Sequence, residues 1–291
     1  MSATGTATPG IGRRIPSSSS GYSLQCALND VQTAGPVGAI LWGLGIAEVK
    51  TARRLAAKGI ASMQVRIDRA LFNDHDRRNA IYSTDGVANC RVAMDQFSEQ
   101  RGVTSFILMG NCACATFCLN AAIADPRVVG LILTNPHVTK RQLLRTSLWR
   151  KLSDPGTWRR FAAGDTSLRE NLVGAMALIG GRIRERLAGE RRSAARRPLS
   201  DLELPDNLGE ELTKLCARGV QVLIACATTD DSLHYLRTEY GAVLDELQNQ
   251  GKLKFEEVAA SAHVFSTDDQ ASSLLNEAIS HWVEMATFTC G

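Results

Sequence analysis

Apolar residues in this chain fall in short continuous runs, and between them lie longer stretches where apolar positions recur every three or four residues. Strands are predicted at Tyr22–Leu28, Pro36–Trp42, Ser62–Asp68, Phe106–Met109, within the segment Asp125–Pro136, and at Val220–Ala227 and Lys252–Val258. Pro36–Trp42 reads as a central one, because a continuous apolar run bounded by turn residues suits a strand covered on both faces, and the seven together predict a mostly parallel sheet. Helical spacing predicts helices over Glu48–Lys58, over Asp85–Arg101 (Val87, Cys90, Ala93, Met94 and Phe97 on one face), from the alanine-rich stretch up to Ala124, and over Ser232–Asn249. A further amphipathic helix carries His281. The alternation lapses after Pro136, over residues 137–215, where Leu143, Leu144, Leu148 and Leu152 predict separate helical structure. Leu212–Ala217 starts the helix that leads back to the sheet. Residues 1–20, rich in Ser, Thr, Gly and Pro, read as a tail that cannot fold alone.

The most informative junction is Gly110-Asn-Cys-Ala-Cys114. A strand ends there, small residues follow and a helix begins, so the residue at the bend, Cys112, is forced into strained backbone geometry with its side chain clear of the core. With cysteine for serine and Cys114 for the second glycine, the pattern resembles the Gly-x-Ser-x-Gly elbow of the α/β-hydrolase superfamily. That resemblance implies an α/β-hydrolase fold with an inserted helical cap, here 137–215, between core segments 21–136 and 216–291. A blander account makes Cys112, Cys114 and Cys118 small hydrophobes on a buried helix; it is adopted for Cys118 and extends to Cys114. Cys-x-Cys-x3-Cys without a nearby histidine is not a usual zinc spacing, and neither metal nor cofactor is expected.

The same resemblance assigns roles elsewhere. The strand ending at Trp42-Gly-Leu-Gly45 occupies the place of the family's His-Gly-x turn, which implies that the N–H groups of Leu44 and Ala113 form an oxyanion hole; an ordinary glycine turn is the competing account. Ala227-x-x-Asp230 has the spacing of the family's acid loop, which makes Asp230 the triad acid with Asp231 close behind. One of the pair could instead cap the following helix. Ser261-Ala-His-Val-Phe265 is similar to the family's histidine loop, and His263 sits on a short loop straight after the last predicted strand. The order nucleophile, acid, histidine is the one this fold uses. More narrowly, Asn135-Pro-His-Val138 followed by a Leu/Arg/Trp-rich helix is similar to the exosortase-associated hydrolase branch.

The chemistry implied is a Cys112–His263–Asp230 triad in which His263 takes the thiol proton, Asp230 orients the imidazole and Cys112 attacks an ester or thioester carbonyl, giving an acyl-enzyme that passes to water or another acceptor. The alternative is a catalytically silent or non-hydrolytic relative that binds, cyclises or epimerises a ligand, an option sustained by Cys114 at a glycine position. Charge refines the substrate. The net charge is only +3, yet Val138–Ser200 holds 15 Lys and Arg against 5 Asp and Glu. A basic lid favours a small acyl substrate on an anionic carrier, coenzyme A or an acidic carrier protein, and a solvated arginine-rich face is the plain alternative. No nucleic-acid-binding motif accompanies the charge. No run reaches membrane-spanning length, the N-terminal residues lack the apolar core of an export signal, and eight cysteines read as thiols, so a cytoplasmic protein is expected. The oligomeric state is not legible.

Overall fold

The structure is a computed structural model that describes residues 13–16, 23–29, 35–42, 46–67, 85–139, 142–143, 204–260, 265 and 269–286. The chain divides into two compact units, residues 1–137 with 201–291, and residues 138–200. The first unit is built on one eight-stranded sheet: β1 (Arg13–Pro16), β2 (Ser23–Asn29), β3 (Val37–Trp42), β4 (Ala61–Ile67), β5 (Ser105–Asn111), β6 (Val128–Thr134), β7 (Gln221–Ala227) and β8 (Leu253–Val258), in the order 1-2-4-3-5-6-7-8. The six strands β3–β8 run parallel, while β1 and β2 pair antiparallel at one edge. Six described helices accompany them: α1 (Ile46–Ala57), α2 (Asp85–Arg101), α3 (Ala113–Ala124), α4 (Leu208–Ala217), α5 (Asp231–Asn249) and α6 (Asp269–Met285). Parallel strands joined by helices leave every βα turn at one edge, and in such sheets that edge is where sites form.

The continuous apolar runs have the cause expected of them. Strand side chains alternate in direction: Ala39, Leu41, Ile107, Met109, Ile132, Leu223 and Ala225 join α1 and α6 in one buried cluster, while Trp42 packs edge-on against Phe117 of α3 with ring centroids 5.2 Å apart. Helix α3 is buried nearly all round, from Ala113 to Ala122, and packs on β5, β6, α2 and α4. A helix apolar on every side belongs inside a layer, which fits the alanine- and cysteine-rich composition of this one.

Two features depart from expectation. Strand β1 lies inside the segment read as a tail, where it pairs with β2 from Arg13↔Cys26 to Pro16↔Ser23. An edge strand is held by main-chain bonds and needs no apolar alternation, and a proline is tolerated at its end. Helix α4 begins at Leu208, four residues earlier than expected, because Leu208, Leu212 and Leu215 form one buried stripe; the first unit accordingly resumes by residue 201, ahead of 216. The helices expected within 144–200 lie outside the described residues, and the second unit is described only at Val138, Thr139, Gln142 and Leu143, where the Thr139 N–H donates to Gln142 Oε1 at 3.2 Å.

The turn after α3 is locked by charge. Arg127 grips Asp125 in bidentate fashion, Nε to Oδ1 at 3.0 Å and Nη2 to Oδ2 at 2.8 Å, and its N–H also donates to Oδ1. These bonds hold the Asp125 carboxyl below the usual carboxylate range against the opposing effect of burial. A carboxyl lowered on folding adds stability above its unfolded value, about 4, and that contribution disappears as pH falls through the folded value. Asp125→Asn is therefore expected to cost about 1–2 kcal/mol at neutral pH, with the deficit closing in acid. Urea titrations of both proteins at pH 7 and pH 3 would show it, and an equal deficit at both would contradict it.

Candidate active site

The site is assembled where β5 turns into α3. Cys112 caps that helix at φ 54°, ψ −123°, one of two described non-glycine residues with positive φ. Such a conformation costs on the order of 1–3 kcal/mol and persists only where the surroundings enforce it. They do so through main-chain bonds: the Cys112 N–H donates to Thr134 O at 3.0 Å, and its carbonyl accepts from Ala115 N at 3.0 Å and from His137 N at 3.2 Å. Gly110 makes the bend passable, since helix backbone at Cys114 and Ala115 occupies the space a Cβ would need. The thiol is half-buried. Ala113 is the first helical residue and is buried; N–H groups in a first helical turn have no intrahelical acceptor and form the positive end of the dipole.

Of the other cysteines of the segment, Cys118 is buried and Cys114 is part-exposed like Cys112. Burial pushes the Cys114 thiol far up, with Cys112, Cys90 and Glu48 adding to the effect, and burial together with a hydrogen bond to Cys90 does the same to Cys118. Both stay protonated thiols, and the burial of Cys118 agrees with its packing account.

Among the described residues, the imidazole nearest the sulfur is one the sequence did not single out. His137 Nδ1 lies 3.9 Å from Cys112 Sγ, and the His137 N–H is bonded to the Cys112 carbonyl. Its position follows from register: Asn111 pairs with Thr134 on the adjacent strand, so the residues just beyond β6 face the elbow. Between them Asn135, fully buried at φ 41°, donates its N–H to Ala225 O at 3.0 Å and accepts from Ala227 N through Oδ1 at 2.8 Å. One side chain thus braces the end of β6 against the end of β7. The sequence signal for it is a histidine three residues past the strand beside the elbow, within the Asn135-Pro-His-Val138 pattern.

Asp230 follows β7 at the same edge, two strands from Cys112 and so roughly 10 Å across the sheet. Its Oδ1 accepts from Ser232 N at 2.8 Å, so the residue chosen as triad acid also caps α5, while Asp231 is exposed. A carboxylate has acceptor positions for both a cap and an imidazole. The turn carrying Asp230 is stitched to the segment after β8: Thr228 N–H donates to Val258 O, and Thr229 Oγ1 donates to Ala260 O, each at 3.0 Å. His263 and Leu44 lie outside the described residues. Among the described residues, no cluster of His, Cys, Asp and Glu is arranged to hold a metal, and no helix is long and apolar enough to cross a membrane.

Solved structures with this architecture include Est1E from Butyrivibrio proteoclasticus, 14% identical over 94% of this chain and 98% of that one, with a TM-score of 0.56. Dienelactone hydrolase from Anabaena variabilis is 11% identical over 96% and 98%, with a TM-score of 0.53. A carboxylesterase from the thaumarchaeon Nitrososphaera gargenis is 12% identical over 94% and 99%, with a TM-score of 0.51. No family model matches the sequence, and no curated protein matches it. The fold is that of the α/β hydrolases.

Proposed function

We propose that this chain is a hydrolase or acyltransferase that attacks an ester or thioester carbonyl through Cys112 and forms a covalent acyl-enzyme. The observation that carries the proposal is the strained cap position of Cys112, its thiol half-buried with an imidazole nitrogen 3.9 Å away. Strain of this kind collects at functional sites, and a strand-turn-helix bend is the context the nucleophile motif demands. His263, oriented by Asp230, is the base that activates the water of deacylation, and the N–H groups of Leu44 and Ala113 hold the oxyanion. That dienelactone hydrolase and a carboxylesterase share the fold agrees with carbonyl chemistry. A thioester is the favoured substrate, because exchange between a thioester and a cysteine acyl-enzyme is nearly level in energy. The basic composition of Val138–Ser200 favours an anionic carrier on the leaving side.

The test is to incubate the protein with a small activated thioester, quench in acid and weigh its peptides. The acyl mass is expected on the Cys112 peptide and absent from Cys112→Ala. Acylation spread over surface nucleophiles and equal in the two proteins would remove the proposal.

A further inference from the structure

We infer that His137 is a second catalytic histidine, the group that holds the proton of the Cys112 thiol in the resting protein and delivers it to the leaving group. The inference rests on Cys112 being the nucleophile, and it divides the proton traffic: acylation runs through His137, and His263 is left to activate the water of deacylation.

The geometry favours His137 for the first task on three counts. Nδ1 is the ring atom against the sulfur, at 3.9 Å. The residue is fixed to its target at the main chain as well, through the His137 N–H to Cys112 O bond of 3.2 Å, so ring and thiol share one rigid frame at the ends of adjacent strands. That frame is itself braced, because Asn135 bonds Ala225 and Ala227 of the next strand. The neighbouring thiol, Cys114, is pushed far up by burial. Cys114 stays protonated and cannot take the proton from Cys112, and a thiolate on Cys112 is stabilised by a nearby cation, which a protonated His137 supplies.

The proton balance closes. The Sγ–H bond breaks, its proton moves to Nδ1 and the electron pair stays on sulfur. As sulfur bonds to the carbonyl carbon, the π pair moves to oxygen. When that pair returns, the bond to the leaving group breaks, and the leaving group takes the proton from Nδ1. Water then gives a proton to His263 as it adds to the acyl carbon. Collapse frees the acid and the thiolate, and the proton on His263 returns to the sulfur–His137 pair.

The rate at which iodoacetamide alkylates Cys112, followed against pH, reads the thiolate directly. The wild-type inflection is expected well below the ordinary thiol value of about 8.5. In His137→Gln it should move up towards that value, with the rate at pH 6.5 falling about tenfold or more, while His263→Ala keeps the wild-type inflection and loses turnover. An unmoved inflection in His137→Gln overturns the inference, as does one that moves only in His263→Ala. A second measurement needs no variant at position 137. The nuclear magnetic resonance titration of the His137 ring should shift to lower pH in Cys112→Ala, because coupling between two titrating groups is reciprocal; no shift also overturns the inference. Acylation of Cys112 in the wild type together with an unmoved inflection would defeat this inference alone, whereas absence of the acyl adduct would defeat the nucleophile itself.

Discussion

Replacing Cys112 by glycine is expected to abolish acyl transfer and, in the same molecule, to raise the melting temperature. The two outcomes share one cause. At φ 54° and ψ −123° the backbone of residue 112 sits where side chains are disfavoured, at a cost of about 1–3 kcal/mol. Glycine enters that region freely and relieves the strain, while its greater freedom in the unfolded chain gives back about 0.5–1 kcal/mol. The balance is a gain of about 1 kcal/mol, or roughly 2 °C in a chain of this size. Turnover should fall by about 10⁴-fold or more, the scale on which removal of a covalent nucleophile is felt. Cys112→Ala separates the effects, since a Cβ keeps the strain: it should lose turnover equally without the thermal gain. Calorimetry on the three proteins decides the matter, and a glycine variant that melts below the alanine variant would show that the bend stores no strain.

That trade-off bears on what was legible in the sequence. The parallel sheet could be read because strands covered on both faces have little choice but to be apolar throughout, as Ala39–Trp42, Phe106–Met109 and Val222–Ala227 are. The elbow could be read for a different reason: a tight strand-to-helix bend is local, and Gly110 and Ala113 record its steric demands within a few positions. His137 meets the sulfur through the pairing of β5 with β6, which brings together residues 25 apart in the chain. The position of His137 just past a strand is visible in the sequence, but no local pattern encodes the strand register that sets its distance from the sulfur. The acid loop lies between these cases. The pair Asp230-Asp231 marked the turn, but which carboxyl caps α5 depends on a rotamer and a helix start, and the cap fell to Asp230. Strand β1 was missed because edge pairing through the main chain leaves little trace in side-chain pattern.

The larger loss of stability is expected from Gly110→Ala. A Cβ at this position would lie 2.5 Å from the carbonyl carbon of Cys114 and 2.7 Å from Ala115 N. Every obstructing atom is main chain in the first turn of α3, so no rotamer change can make room; either the helix start moves away from β5 or the strand end does. Overpacking a core by one methyl costs about 1–3 kcal/mol when side chains can yield, and against fixed backbone the upper end, about 3 kcal/mol, is the reasonable expectation. Any folded protein that remains has its bend displaced. The displacement moves Cys112, the N–H of Ala113 and the 3.9 Å contact to His137 together, and a shift of about 1 Å at reacting groups is worth on the order of 100-fold in rate. Urea unfolding should show the lost stability, and turnover per folded molecule, measured well below the transition, should show the displaced site. A variant that is destabilised yet retains full activity per folded molecule would mean that the close approach of β5 to α3 serves packing alone, and that the placement of the sulfur does not depend on it.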